Sequence, residues 1–323
     1  MRRKIFLAAA LAGFASAVLA QGPQPGADWP GRPVRIVVPY APGGSSDTLG
    51  RMIAQQLQLQ LKQTFIVENK AGGGGTIGSG QVAKLPPDGY TLVVSGIGSH
   101  VIAPVEAKTF NPMSDFTHIA MLGGPPLALV VHPSVPATTV PEFIAYARQL
   151  KTGLSWGSPG QGTHGHLVGE LLAKQAQYAQ THISYKGAGP AVTDLLSGQI
   201  QAAVMTYSSA NAFVKNGRLR ALATTASKRL AEIPNVPTFA ELGYPGLTSI
   251  TWFALSGPPG MPAALVARIN EEVRRGLQSE AAQKQLAFES METQDWDAAT
   301  FTRYVGSEIE RWTPLVQSIK KPD

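Results

Sequence analysis

Short β-branched runs alternate with helical stretches along this chain, joined by glycine-rich turns, and that order constrains the fold more than any other feature. Residues 34–39 read VRIVVP, a continuous apolar run suited to a strand buried on both faces. Helical patterning follows over 47–62, then a strand at 65–68, a helix at 76–85 and a strand at 90–95 (YTLVVS). This βαβα order implies a parallel sheet with helices on both faces. The pattern restarts with a strand at 127–132 (LALVVH). Helices at 140–151, 164–177 and 190–197 then separate strands at 154–158, 183–186, 201–206 and 219–224. A late strand at 250–256 (ITWFALS) precedes a helix over 262–278. The final helix, 297–319, carries Phe301, Tyr304, Val305, Ile309, Trp312 and Val316 on one stripe. The expected architecture is α/β, with two lobes joined by crossing strands: 30–125 plus 254–323, and 126–253. Ligands of such sheets bind outside the carboxyl ends of the strands, so the cleft between the lobes is the expected site.

Arg2, Arg3 and Lys4 precede an apolar run over 5–19 that closes on Ala20. A charged start, apolar middle and small-residue end mark residues 1–20 as a secretory signal peptide, and 21–29 as a Gly- and Pro-containing leader. Without those three cations the formal charge of +6 becomes +3. That mild excess helps attract anions, and no aromatic-basic platform for nucleic acid accompanies it. The chain has no cysteine, which excludes a disulfide framework, a thiolate metal site and a cysteine-linked lipid anchor. No later apolar run reaches transmembrane length. A soluble, monomeric periplasmic protein is expected.

Two turns carry the chemistry. Residues 39–47 (PYAPGGSSD) join a buried strand to a helix. Gly43 and Gly44 permit a tight turn with exposed amides, and Ser45 or Ser46 can cap the helix. The free amides and dipole of a helix start attract anions. Asp47 instead accepts backbone amides, orients water or meets a ligand amino group. Residues 156–166 (WGSPGQGTHGH) repeat the design in the second lobe, with Thr163 as the hydroxyl cap. Each turn read alone is equally a capped connection without a ligand. As a pair, one per lobe, they suit the two ends of a dicarboxylate. A third turn, 96–100 (GIGSH), offers Ser99 and His100 as donors or is a plain strand-end turn.

Other motifs weaken on inspection. Gly73, Gly75 and Gly78 fit a dinucleotide-binding spacing, but follow the second strand and lack the acidic residue some 20 positions on. Ser155 lies in G-x-S-x-G, yet inside a strand rather than at the turn after it, where a nucleophile belongs. His164 and His166 are two apart and point to different helix faces, with no third ligand for a metal. Trp29, Trp252 and Trp312 are scattered, which suits core packing. No cofactor is expected. A secreted α/β enzyme acting on a small organic acid is the alternative class, although no motif pairs two carboxylates.

Residues 32–47 (RPVRIVVPYAPGGSSD) with Arg51, residues 67–78 (VENKAGGGGTIG) and residues 87–92 (PDGYTL) together resemble the tripartite tricarboxylate transporter substrate-binding family, the Bug-type receptors. Further matching runs are 160–164 (GQGTH), 166–171 (HLVGEL), 185–191 (YKGAGPA), 217–223 (GRLRALA), 234–238 (PNVPT) and 252–255 (WFAL), so the likeness spans nearly the whole chain. The resemblance implies the type II periplasmic binding-protein fold, carboxylate ligands (dicarboxylate, tricarboxylate or aromatic acid), and delivery to the membrane components of a tripartite tricarboxylate transporter or to a sensor. It places ligand contacts at Tyr40, Gly43, Gly44, Ser45, Ser46 and Asp47, at Ser99 and His100, and at Ser158, Gly162, Thr163 and His164. Two departures stand out. Ala103-Pro104 replaces the Asn-Pro common in the family, and Met205 stands where many members carry Asp. Met205 at the cleft is expected to make one end less polar, suited to an aromatic or longer-chain acid.

Overall fold

Ten strands form two five-stranded sheets of matching design in the computed structural model, which describes residues 29–319. The expected signal peptide and almost all of the leader lie outside the described residues. The first sheet takes β1 (Val34–Val38), β2 (Phe65–Asn69), β3 (Thr91–Gly96) and β4 (Thr117–Gly123), plus a strand from late in the chain, β10 (Phe253–Gly257). The second takes β5 (Leu127–Val131), β6 (Leu154–Ser158), β7 (Gln180–Ser184), β8 (Ala202–Thr206) and β9 (Arg220–Thr224). Their orders are β2-β1-β3-β10-β4 and β7-β6-β8-β5-β9.

The expectation of a purely parallel sheet is corrected at one position in each. β10 runs antiparallel to β3 and β4, and β5 antiparallel to β8 and β9. Both strands enter their sheet directly from the other lobe, so they arrive at the opposite end from strands fed by a helical crossover. The two crossing segments pair with each other: Thr251 donates its amide to Pro125 at 2.8 Å, and Pro126 bridges Ile250. This double strap is the link between the lobes.

The helices are α1 (Ser45–Leu61), α2 (Thr76–Val82), α3 (Ala103–Ala107), α4 (Val140–Gln149), α5 (His164–Ala176), α6 (Ala188–Leu196), α7 (Tyr207–Lys215), α8 (Ala263–Leu277), α9 (Glu280–Phe288) and α10 (Ala298–Ile319). On α1, Leu49, Ile53 and Leu57 sink fully into the first core beside Val34, Ile36 and Val38. Burying each such side chain contributes about 1.5–3 kcal/mol. On the apolar stripe of α10, Phe301, Val305, Trp312 and Val316 are buried and Tyr304 and Ile309 half-buried, and the helix touches both β4 and α5. It therefore rests on both lobes.

β4, α3, α7 and α9 were not anticipated. β4 (THIAMLG) lacks a run of β-branched residues and α9 is short, so local pattern was weak in both. Residues 96–100 form no plain turn: Ile97–Ile102 is a buried π-helical segment running into α3.

Candidate functional site

The first helix start is built by Gly43 and Gly44. Gly43 adopts φ +89°, a conformation that disfavours side chains, and its amide donates to Asp47 Oδ2 at 3.2 Å. Gly44 is the N-cap, with no side-chain cap bond. The expectation that Ser45 or Ser46 caps this helix is therefore corrected: both lie inside its first turn. The Ser45 hydroxyl crosses the cleft instead, lying 2.6 Å from Thr206 Oγ1 and 2.6 Å from Ser208 Oγ. Asp47 does not line the cavity between the lobes and is bonded within its own lobe. Arg51 Nε and Asn69 Nδ2 donate to its two oxygens at 3.0 and 2.9 Å. Burial opposes ionisation of Asp47, but bonds from Arg51, Asn69 and Gly43 outweigh it and hold its pKa below the usual range.

The second start repeats the geometry with a true cap. Thr163 Oγ1 accepts the His166 amide at 3.3 Å and donates to the Gly160 carbonyl at 2.7 Å. Gly162 (φ +71°) turns its amide to His166 Nδ1, and Ser158 is occupied by Gly160 and by His182 Nε2 at 2.8 Å. These two residues shape the loop and do not reach the cavity. His164 Nδ1 lies 2.8 Å from Thr251 Oγ1 on the strap, and its ring meets Trp312 edge-on at 5.0 Å. Burial lowers its pKa to about 3, so the ring is neutral.

Both starts line one cavity of about 440 Å³, counting its mouth. Tyr40, Gly44, Ser45, Ser46, Thr163 and His164 are on its wall, together with Gly98, Leu127, Pro159, Gly165, Ala188, Thr206, Thr251 and Phe253. No Asp, Glu, Lys or Arg is among them. The amides of Ser45 and Ser46 on α1, and of His164 and Gly165 on α5, have no internal acceptor among the described residues. Four unpaired donors thus sit in the first turns of two helices, one from each lobe, whose positive dipole ends open on one space. Gly98 has no room for a side chain here: a Cβ would stand 2.9 Å from the Tyr40 hydroxyl and 3.4 Å from Thr163 Cα.

Three further expected contacts are corrected. His100 is fully buried against Phe110 and Phe116, with centroids 5.7 and 4.4 Å away, and Ser99 bonds its Nδ1 at 2.9 Å. Neither side chain is on the cavity wall, although Gly98 of the same π-helical segment is and Ser99 also bonds Tyr40 behind it. Met205 packs with Ala128, Val130 and Ala203 beneath the second sheet. Strand side chains alternate faces, so its neighbour Thr206 reaches the cavity in its place. Met205 therefore gives no less polar end to the site. The other wall residues come from the turns already read (Gly98, Pro159 and Gly165), from strand ends, from the strap and from the third glycine-marked helix start, α6, whose run 185–191 was visible in sequence. Among the described residues no group of three or more His, Asp or Glu converges to hold a metal.

A family model described as Tripartite tricarboxylate transporter family receptor matches residues 49–321. The chain belongs to this family. Among its relatives in the tripartite tricarboxylate receptor family, BugT of Bordetella pertussis is 32% identical over 292 residues, 90% of each chain. A Rhodopseudomonas palustris protein, Rpa4515, solved with adipate, is 32% identical with a TM-score of 0.86, over 90% of this chain and 98% of its own. MatC from Rhodopseudomonas palustris, solved with bound malate, is 30% identical with a TM-score of 0.85, over 89% and 100%. The family's receptors share the two-lobed periplasmic binding-protein fold seen here. Among the described residues no helix is long and apolar enough to cross a membrane.

Proposed function

We propose that this chain is a periplasmic receptor, exported by residues 1–20, that captures a small dicarboxylate between its lobes. It delivers that acid to the membrane components of a tripartite tricarboxylate transporter or to a sensor, and catalyses no reaction. In this reading residues 30–125 and 254–323 form the first lobe and 126–253 the second. The observation that carries it is the convergence of unpaired α1 and α5 amides, one pair per lobe, on one cavity without a charged side chain. One carboxylate of the ligand accepts from Ser45 and Ser46, the other from His164 and Gly165. Leu127, Pro159, Ala188 and Phe253 cover the hydrocarbon between. Amide donors bind the anion without a buried cation that would need its own partner when the site is empty. The adipate and malate in related structures support a dicarboxylate.

Calorimetric titration against adipate, malate and benzoate tests the reading, with mass spectrometry of the acid afterwards. Adipate or malate is expected to bind and to be recovered unchanged. At a hundred times its dissociation constant it adds about 2.7 kcal/mol of stability. Binding of none of the three, or a preference for benzoate, overturns the dicarboxylate assignment. Conversion of the acid makes the protein an enzyme.

A further inference from the structure

We infer that Ser45 couples ligand capture to lobe closure, its amide serving the ligand while its hydroxyl is committed wholly to the opposite lobe. The inference deepens the receptor reading and rests on it for the ligand half. Ser45 opens α1 in the first lobe. Its Oγ lies 2.6 Å from Thr206 Oγ1, 2.6 Å from Ser208 Oγ and 3.3 Å from Ser209 Oγ, all at the junction of β8 with α7 in the second lobe. Thr206 Oγ1 and Ser209 Oγ are 2.7 Å apart.

A hydroxyl has one proton to donate and two lone pairs. Four hydroxyls therefore hold four protons for these four contacts. If Ser208 and Thr206 donate to Ser45, Ser45 to Ser209, and Ser209 to Thr206, each proton is used once. Ser45 Oγ then donates once and accepts twice, which leaves it no capacity for a ligand. Its amide, in the first turn and without an internal acceptor, remains available on the cavity side.

Opening the cleft breaks the three contacts made through Ser45 Oγ and spares the one between Thr206 and Ser209, which lie in the same lobe. One atom thus carries every bond of the cluster that distinguishes closed from open. Ser45, Thr206 and Ser208 are only 4, 6 and 7% exposed, so water does not compete for these bonds in the closed form. Farther along α7, Asn211 Nδ2 donates to the Phe288 carbonyl at 3.3 Å and Lys215 Nζ lies 5.3 Å from the Phe288 ring centroid. The helix that meets Ser45 therefore rests on the first lobe at a second point. A carboxylate that draws the start of α1 towards the cavity also seats the Ser45 hydroxyl. Ser45 is in this sense a positioning residue as well as a ligand contact.

The chain has no cysteine, so Leu59→Cys in the first lobe and Ala145→Cys in the second label uniquely with nitroxides; both positions are exposed. Interlobe distances in the ligand-free protein, with stopped-flow adipate kinetics, form the test. Ser45→Ala keeps the amide and removes the hydroxyl. It is expected to lower the closed population relative to the open one about tenfold and to raise the adipate dissociation rate by a similar factor, with association little changed. Ser208→Ala removes one of the three contacts and gives an intermediate effect, while Ser45→Thr keeps the hydroxyl and restores closure. Unchanged distances in Ser45→Ala, a loss confined to association, or a ligand-free wild type without a closed population overturns the inference. If adipate does not bind at all, the receptor's ligand assignment fails on its own, and the ligand-free distances still decide the role of Ser45.

Discussion

Trp252 on the strap donates its indole N–H to Oε2 of Glu308 on α10 at 3.0 Å, and both side chains are buried. Trp312 donates to the same oxygen at 3.1 Å. One carboxylate oxygen therefore ties the interlobe connection to the C-terminal helix, beside the His164 ring of the cavity wall. Glu308→Leu strands two buried indole donors, each costing about 1–3 kcal/mol. Calorimetry should show a melting point lower by roughly 4–12 °C. Glu308→Gln keeps an acceptor for both indoles and should cost clearly less; equal losses in the two variants would remove the carboxylate from this role.

Acidification should destabilise the protein well before its carboxylates protonate. Burial lowers the pKa of His118 and His166 to about 4 and of His164 and His182 to about 3, and pushes His100 well down, from an ordinary 6.5. Between 6.5 and those values the unfolded chain binds more protons than the folded one, so stability falls as pH falls. Each histidine contributes a slope of up to about 1.4 kcal/mol per pH unit in that window. Urea unfolding at pH 7, 6 and 5 measures it. A flat profile would mean that the rings are not buried neutral.

Asp47 acts lower on the pH scale. Its folded pKa lies below the unfolded value of 3.8, so its contribution is present above 3.8 and is lost as pH falls through the depressed folded value. At neutral pH, Asp47→Ala frees the Gly43 amide and loosens the turn that aims the Ser45 and Ser46 amides. Adipate affinity should then fall about three- to tenfold in a titration.

Gly74 is one of the contact points of the first lobe with the 160–162 loop of the second. It has φ +62°, and a Cβ there would overlap the Gln161 carbonyl oxygen. Gly74→Ala is expected to hold the lobes apart, weakening adipate binding by about tenfold or more and lengthening the interlobe distance. Undiminished affinity would show that the loop yields.

The alternation of apolar runs, glycine turns and amphipathic stretches was enough to give the α/β class, most of the elements, the buried stripe of α10 and the two helix starts. Each of these is a local property: periodicity within one element, or glycine where a turn requires it. Tertiary structure alone decided which strands sit beside which. The antiparallel places of β5 and β10 depend on the chain crossing between lobes, which no local window contains. It also decided which side chains of a correctly read loop face the ligand. Met205 and Thr206 are neighbours, yet the pleat sends one into the core and the other to the cavity. His100 follows a strand as His164 does, but it packs against Phe110 and Phe116 off the cavity wall. Ser45 meets partners 161 to 164 residues distant. A hydroxyl bonds whatever acceptor or donor packing brings within reach, and sequence spacing says nothing about that.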